Sequence, residues 1–219
     1  MIIAIDGPSG TGKSTVARLI AERLKFDYLD SGAMYRSLAF QIAQQNIDPT
    51  DLERIEQLCE EFNFRSQFVD DVWHFYLGSE EVTQGIRTAE VTEIASKIAS
   101  YPFVRKAMAA LQRRHGEMGN IVCEGCDIGT VIFPHAQLKI FLTASVDSRA
   151  RRRLEEMRIK FPDDDHSFEQ IKDSIIQRDS FDMNRDLAPL KLAEDAIEVD
   201  TSNMTIDQVV NTIINMISG

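Results

Sequence analysis

The sequence predicts an α/β fold built on a mainly parallel sheet of five strands, with a small β-meander inserted. Three observations carry this expectation. Met1 to Ile5 is an unbroken apolar run, as a strand buried on both faces requires. It leads directly into Gly7-Pro8-Ser9-Gly10-Thr11-Gly12-Lys13-Ser14, and a helical pattern follows. Further apolar runs then alternate with segments of helical spacing, the order that helices covering a parallel sheet produce. A length of 219 residues suits one domain, 1–219, carrying small lobes.

Each element has its own signal. Val16, Leu19, Ile20 and Leu24 recur at helical spacing after the glycine-rich turn. Phe26 to Leu29 reads as a second short strand ending at Asp30-Ser31-Gly32, and Ala33 to Gln44 as a helix. Asn46 and Pro49 break that helix, and Thr50 with Glu53 has the spacing of a capping box opening the next. Between Phe64 and Arg87 the period changes to two: Val72, His74 and Tyr76 alternate with Trp73, Phe75 and Leu77, and Gly78-Ser79 marks a turn. This is the expected meander, a lobe spanning 62–88. Helical spacing returns with Val91, Ile94, Ala95 and Ile98, pauses at Tyr101-Pro102 and resumes to Gly116. Ile121 to Glu124 and Leu138 to Leu142 are the third and fourth core strands. The helix after Ser145 runs into the polar stretch Phe161 to Asp165. Ser167 with Gln170, and Thr205 with Gln208, are capping pairs on either side of a fifth strand, Ala196 to Val199.

Composition narrows the function. The formal net charge of -11 argues against a dedicated nucleic-acid binder, whose affinity rests on Lys and Arg against phosphate. A nucleotide substrate is compatible with it, because a pocket can be basic inside an acidic protein. The start lacks the basic segment of an export signal, and no stretch approaches the roughly 20 apolar residues of a membrane span. Cys59, Cys123 and Cys126 are too few for a disulfide scaffold, so a reducing cytoplasm is the expected setting.

Gly7-x4-Gly12-Lys13-Ser14 between a strand and a helix meets both context requirements of a phosphate-binding loop. Glycines let backbone N–H groups turn inward onto phosphate oxygens, and the helix adds its positive end. Gly7, Pro8, Ser9, Gly10, Thr11, Gly12, Lys13, Ser14 and Thr15 are therefore the expected ATP-binding residues. Lys13 bridges the β and γ phosphates in this reading, and the Ser14 hydroxyl ligates Mg²⁺. Such a loop fixes a triphosphate site without separating kinase from ATPase, GTPase or sensor. No guanine-reading Asn-Lys-x-Asp is present; Glu124, ending the third strand, is the nearest metal-side carboxylate, with a plain strand-end acid as the equal alternative.

Six motifs in order, spread over nearly the whole chain, resemble bacterial-type cytidylate kinases. They are Gly7–Ser14, Leu29–Arg36, Gly85–Thr88, Ala95-Ser96 with Arg105 nine residues on, Gly125–Pro134, and Arg178-Asp179 followed by Asp182 and Arg185. The resemblance implies a P-loop nucleoside monophosphate kinase with a five-stranded parallel core, an inserted lobe over the monophosphate and a short lid at 154–168. It implies transfer of the γ-phosphate of MgATP to CMP or dCMP. Carried over, Ser96, Arg105 and Asp127 read the cytosine, Asp182 holds the sugar, and Ser31 and Tyr35 line the monophosphate site. Lys13, Arg36, Arg153, Arg178 and Arg185 serve the phosphates and the transfer. The reading makes chemical sense: a carboxylate accepts from the cytosine amino group, while an Arg and a hydroxyl satisfy the ring acceptors. Taken singly the same residues have plainer roles: a back-bonded helix serine, a surface arginine, a turn aspartate. Arg149, Arg152 and Arg153 read equally as a solvated face balanced by Glu155 and Glu156. The expected partners are ATP and CMP or dCMP, with no nucleic acid, no membrane, and a monomer as default.

One departure stands out. The family carries an arginine, in contact with the acceptor phosphate, where this chain has Cys126. A neutral thiol replaces a charge-assisted contact worth roughly 1.5–3 kcal/mol, or about one to two decades in rate. Other arginines compensate, activity is low, or the residue is itself a substitution. Two rival functions follow: a nucleotide-binding protein with weakened catalysis, and a kinase for another monophosphate such as UMP. Cys123 and Cys126 also spell Cys-x-x-Cys, but a first cysteine inside a buried strand and the lack of a second pair disfavour redox and zinc roles.

Overall fold

In chain order the elements are β1 (Ile2–Asp6), α1 (Lys13–Leu24), β2 (Asp27–Asp30), α2 (Ser31–Gln44), α3 (Leu52–Glu61), β3 (Phe64–Val69), β4 (Val72–Leu77) and β5 (Glu80–Glu81). There follow α4 (Ala89–Ile98), α5 (Pro102–Glu117), β6 (Ile121–Gly125), β7 (Leu138–Thr143), α6 (Val146–Lys160), α7 (Phe168–Asn184), β8 (Ile197–Asp200) and α8 (Ile206–Ser218). This computed structural model describes residues 1–160 and 166–218. The expected lid, 154–168, therefore falls partly outside the described residues.

All five apolar runs form strands of one sheet, in the order β2-β6-β1-β7-β8. The pairs β1–β6, β1–β7 and β7–β8 are parallel. Strand β1 is central and buried on both faces, which is why its sequence is apolar without alternation. Its last residue, Asp6, lies level with Gly125 of β6 and Phe141 of β7. The loops that leave the carboxyl ends of β1 and β6 therefore start side by side, the usual place for a ligand in an open α/β sheet.

The chain divides into two compact units. The first comprises Met1–Asp27 and the chain from Asn120 onward. Its core is Ile3, Ile5, Val16 and Ile20 with Val122, Ile140, Leu142, Val210 and Ile213, all buried. A satellite cluster of Ala150, Ile171 and Ile175, with Val146, Leu154, Met157 and Phe168 against it, joins α6 to α7. The second unit is Tyr28–Gly119. It packs α2 against α4, and α3 against α5, over buried Met34, Leu38, Ile42, Ile55, Ile98 and Met108. The expected meander lies within it as the antiparallel sheet β3-β4-β5. There the alternation resolves as read: Trp73 and Phe75 are buried, and the Trp73 ring lies 5.2 Å from Tyr28 and the Phe75 ring 5.8 Å from Phe64.

Helix starts refine the sequence reading. Ser167 with Gln170, and Thr205 with Gln208, form the expected reciprocal capping bonds. At α3 the cap is Asp51, whose carboxylate accepts from the Arg54 N–H, while the Thr50 hydroxyl donates to Asp48 instead. A carboxylate one residue later outcompetes the hydroxyl. Helix α2 starts two residues before Ala33, because Asp30 caps it through the Ala33 N–H at 2.7 Å. No helix among the described residues is long and apolar enough to cross a membrane.

Candidate active site

In the first unit the loop from Gly7 to Gly12 turns three times through positive φ, at 144°, 81° and 93° for Gly7, Gly10 and Gly12. Gly7 is irreplaceable on space as well: an added Cβ would sit 2.1 Å from the Leu142 carbonyl oxygen. The loop braces itself. The Thr11 hydroxyl donates to the Pro8 carbonyl at 3.0 Å, and the Lys13 ammonium donates to the same oxygen at 2.9 Å. Helix α1 begins at Lys13 directly beyond the left-handed Gly12, so its N-terminal N–H groups face the loop. The Ser14 hydroxyl donates to Glu124 at 2.5 Å, which joins the loop to the end of β6. The structure thus gives Glu124 a contact with the hydroxyl expected to meet the metal.

Beyond Glu124, the residues Gly125, Cys126 and Asp127 lead into a single π-helical turn, Ile128–Ile132. Asp127 is buried. Burial pushes the Cys126 thiol up to about 11, an effect that nearby Lys13 partly offsets; Asp182, Arg185 and Asp127 also bear on it. Lys13, Asp127, Asp182 and Arg185 therefore gather around the Cys126 position. Asp182 lies between two arginines, 3.7 Å from Arg178 and 3.5 Å from Arg185. Arg185 also donates to the Ala188 carbonyl at 2.8 Å.

In the second unit, Arg36 faces Asp30 at 3.4 Å, and Ser31 is buried at the first position of α2. The Arg105 guanidinium lies 6.0 Å from the centre of the Tyr35 ring and donates to the Ala99 carbonyl at 3.3 Å. Ser31, Tyr35, Arg36 and Arg105 are thus carried on two helices of one unit. Ser96 is exposed and donates to the Thr92 carbonyl at 3.0 Å, so its hydroxyl must turn to reach a ligand.

A cytidylate kinase family model matches residues 3–219. The chain belongs to the cytidylate kinase family. Two curated relatives, both called cytidylate kinase, show how close the likeness is. The protein from Carboxydothermus hydrogenoformans is 43% identical over 217 residues, 99% of this chain and 97% of that one. The protein from Halalkalibacterium halodurans is 44% identical over 218 residues, 99% of this chain and 97% of that one. Among solved structures, a shikimate kinase from Bacteroides thetaiotaomicron aligns with 100% of this chain and 99% of its own at 13% identity and a TM-score of 0.51. That likeness shows the fold alone, the α/β fold of P-loop kinases.

In this cytidylate kinase family member the arginine run after Ser145 does not act as one face. Arg149 is buried and donates to the Ser9 carbonyl of the phosphate loop at 3.1 Å, to the Ala144 carbonyl at 3.1 Å, and with two nitrogens to Asp179 of α7. Arg152 donates to Thr201, whose hydroxyl in turn donates to the Thr11 carbonyl of the loop. Arg153 is exposed and pairs with Glu156 at 3.1 Å. Sequence reasoning missed Arg149 and Asp179 as supports of the loop, because Ser9 and Asp179 lie 140 and 30 residues from Arg149. It also missed Asp6, although an acid closing a buried apolar strand is a signal in itself. Both Asp6 oxygens accept backbone N–H groups, from Ile128 at 2.8 Å and Gly129 at 2.7 Å.

Proposed function

We propose that this protein transfers the γ-phosphate of MgATP to CMP or dCMP, giving ADP and the cytidine diphosphate. The observation that carries the reading is the parallel pairing of β1 with β6, which starts the phosphate loop and the Cys126-Asp127 segment side by side. Membership of the cytidylate kinase family favours it over the weakened binding protein and over another acceptor. An acceptor phosphate oxygen attacks the γ-phosphorus in line, the bond to the β-phosphate oxygen breaks, and ADP leaves. The acceptor phosphate is largely ionised at neutral pH, so the residues position and stabilise charge and no strong base is required.

Gly7 to Thr15 bind the triphosphate in this proposal, and the Lys13 ammonium exchanges the Pro8 carbonyl for phosphate oxygens. Arg178 and Arg185 neutralise charge on the phosphates, Asp182 holds the sugar and Asp127 accepts from the cytosine amino group. In the second unit, Arg36 takes the acceptor phosphate, Ser31 and Tyr35 line it, and Ser96 and Arg105 serve the base. Arg153 becomes a phosphate ligand only by leaving Glu156.

Magnesium fits the residues present. The Ser14 hydroxyl and the Glu124 carboxylate form a hard oxygen pair of the kind Mg²⁺ takes beside phosphate oxygens and water. Bound there, the ion would neutralise charge on the β and γ phosphates. Chain residues contribute the rest: the glycine turns orient N–H groups, and the bond from Arg149 to Ser9 fixes the loop.

A coupled ADP-release assay with MgATP and CMP, dCMP, UMP, AMP or GMP tests the proposal. Turnover is expected chiefly with cytidine monophosphates, with little ATP hydrolysis when no acceptor is present. Failure of every monophosphate, with ATP still bound, sinks it. Cys126→Arg is expected to raise kcat/KM for CMP by about one to two decades if the family contact is restored.

A further inference from the structure

Asp6 ends β1, immediately before the phosphate loop, and only 4% of it is exposed. Among the described residues its carboxylate makes its hydrogen bonds away from the triphosphate loop. It spends both oxygens on the neighbouring strand's exit, accepting from Ile128 at 2.8 Å and from Gly129 at 2.7 Å. Those two N–H groups open the π-helical turn, the part of a helix whose donors have no partner of their own. The Asp127 carbonyl meanwhile accepts from Val131 at 2.9 Å and Ile132 at 3.1 Å. The backbone at Asp127 is thus gripped from one side by Asp6 through its next two residues and from the other by its own turn. Gly129 completes the fit: an added Cβ would lie 3.3 Å from an Asp6 oxygen and 3.2 Å from the Lys139 side chain.

We infer that Asp6 is a positioning residue for acceptor recognition, holding the turn that presents Asp127 so that cytosine is told from uracil. The inference rests on Asp127 reading the base, as proposed above. It joins the ATP strand to the acceptor segment through one carboxylate. Asp6 accepts the two N–H bonds most strongly as a carboxylate, and burial raises its pKa from 3.8 to about 6. The charged groups that bear on it are Asp127, which raises the pKa, and Lys13 of α1, which lowers it. Lys139 of β7 brings its aliphatic stem to Gly129, while its ammonium is held by the Pro134 carbonyl and Asp195. Discrimination should therefore weaken as pH falls through about 6.

The test compares kcat/KM for CMP with kcat/KM for UMP from about pH 8 to about pH 5. Both substrates carry the same phosphate, whose second ionisation near about 6 cancels in the ratio. Wild type should show a ratio that falls on acidification. Asp6→Asn turns one acceptor into a donor facing an N–H, and should lower the ratio about tenfold and remove its pH dependence. Gly129→Ala leaves the Asp6 charge in place and crowds its oxygen. It should lower the ratio less, keep the pH dependence, and carry the test if Asp6→Asn does not fold. A carboxylate with a structural role alone would depress turnover of both monophosphates equally and leave the ratio untouched. Asp127→Ala separates the two levels. If it leaves the ratio unchanged, the base reading itself fails. If it lowers the ratio while the Asp6 and Gly129 variants do not, the positioning role of Asp6 is overturned and the base reading stands.

Discussion

At the scale of single residues, charge and burial decide what each group does. Cys126 stands among Lys13, Asp182, Arg185 and Asp127, and its thiol stays protonated across the physiological range. It contributes volume there and no charge, which is why the arginine variant is expected to gain. Asp6 is the opposite case, a buried acid whose two N–H donors offset only part of the burial that disfavours its charge. Its pKa is raised from 3.8 to about 6, so the folded state holds a proton that the unfolded chain has released between those values. The stability this contributes is complete below 3.8 and is lost as pH rises through about 6. The amount is roughly 3 kcal/mol at 1.36 kcal/mol per unit. Urea unfolding of wild type beside Asp6→Asn should show the wild type losing ground by about that much between about pH 4 and pH 7. A difference that does not change with pH would mean that Asp6 does not titrate in this window.

At the scale of elements, most of the fold was legible because each strand and helix carries its own period and punctuation. The apolar run of β1, the alternation in β4 and the capping pairs at Ser167 and Thr205 are local signals that later packing did not override. What was not legible is the bonding between elements. Nothing local marks Arg149 as the buried member of its run, or Asp179 as its partner, yet the pair fastens α7 and the start of α6 to the phosphate loop. Removing one partner leaves an uncompensated charge, at about 3–5 kcal/mol for a buried pair. Arg149→Met should lose about that much in urea unfolding and raise the KM for ATP, because the Ser9 carbonyl loses its anchor. Loss of stability with no change in ATP binding would show that the pair steadies the helices and not the loop.

At the scale of the whole molecule, the chain leaves the first unit after Asp27 and returns at Asn120. The sequence marks the meander inside this excursion by its change of period, but no composition shift marks the full span of the second unit. An acceptor that binds the folded chain and not the unfolded one should raise global stability by mass action. CMP at 100 times its Kd is expected to add about 2.7 kcal/mol to unfolding. A thermal melt with CMP beside UMP at equal concentration reads the difference. An equal shift with both would place the recognition in the phosphate alone.

Cysteine burial has a practical consequence for watching this protein move. The thiolate is the form that reacts with maleimides and iodoacetamides. Burial raises both Cys59 and Cys126 to about 11, and Cys123 has no exposed surface. A new cysteine placed on an exposed site of α3 or α7 would therefore outpace all three native thiols in a labelling reaction, and fluorescent dyes can be attached without first stripping the chain of its own sulfur.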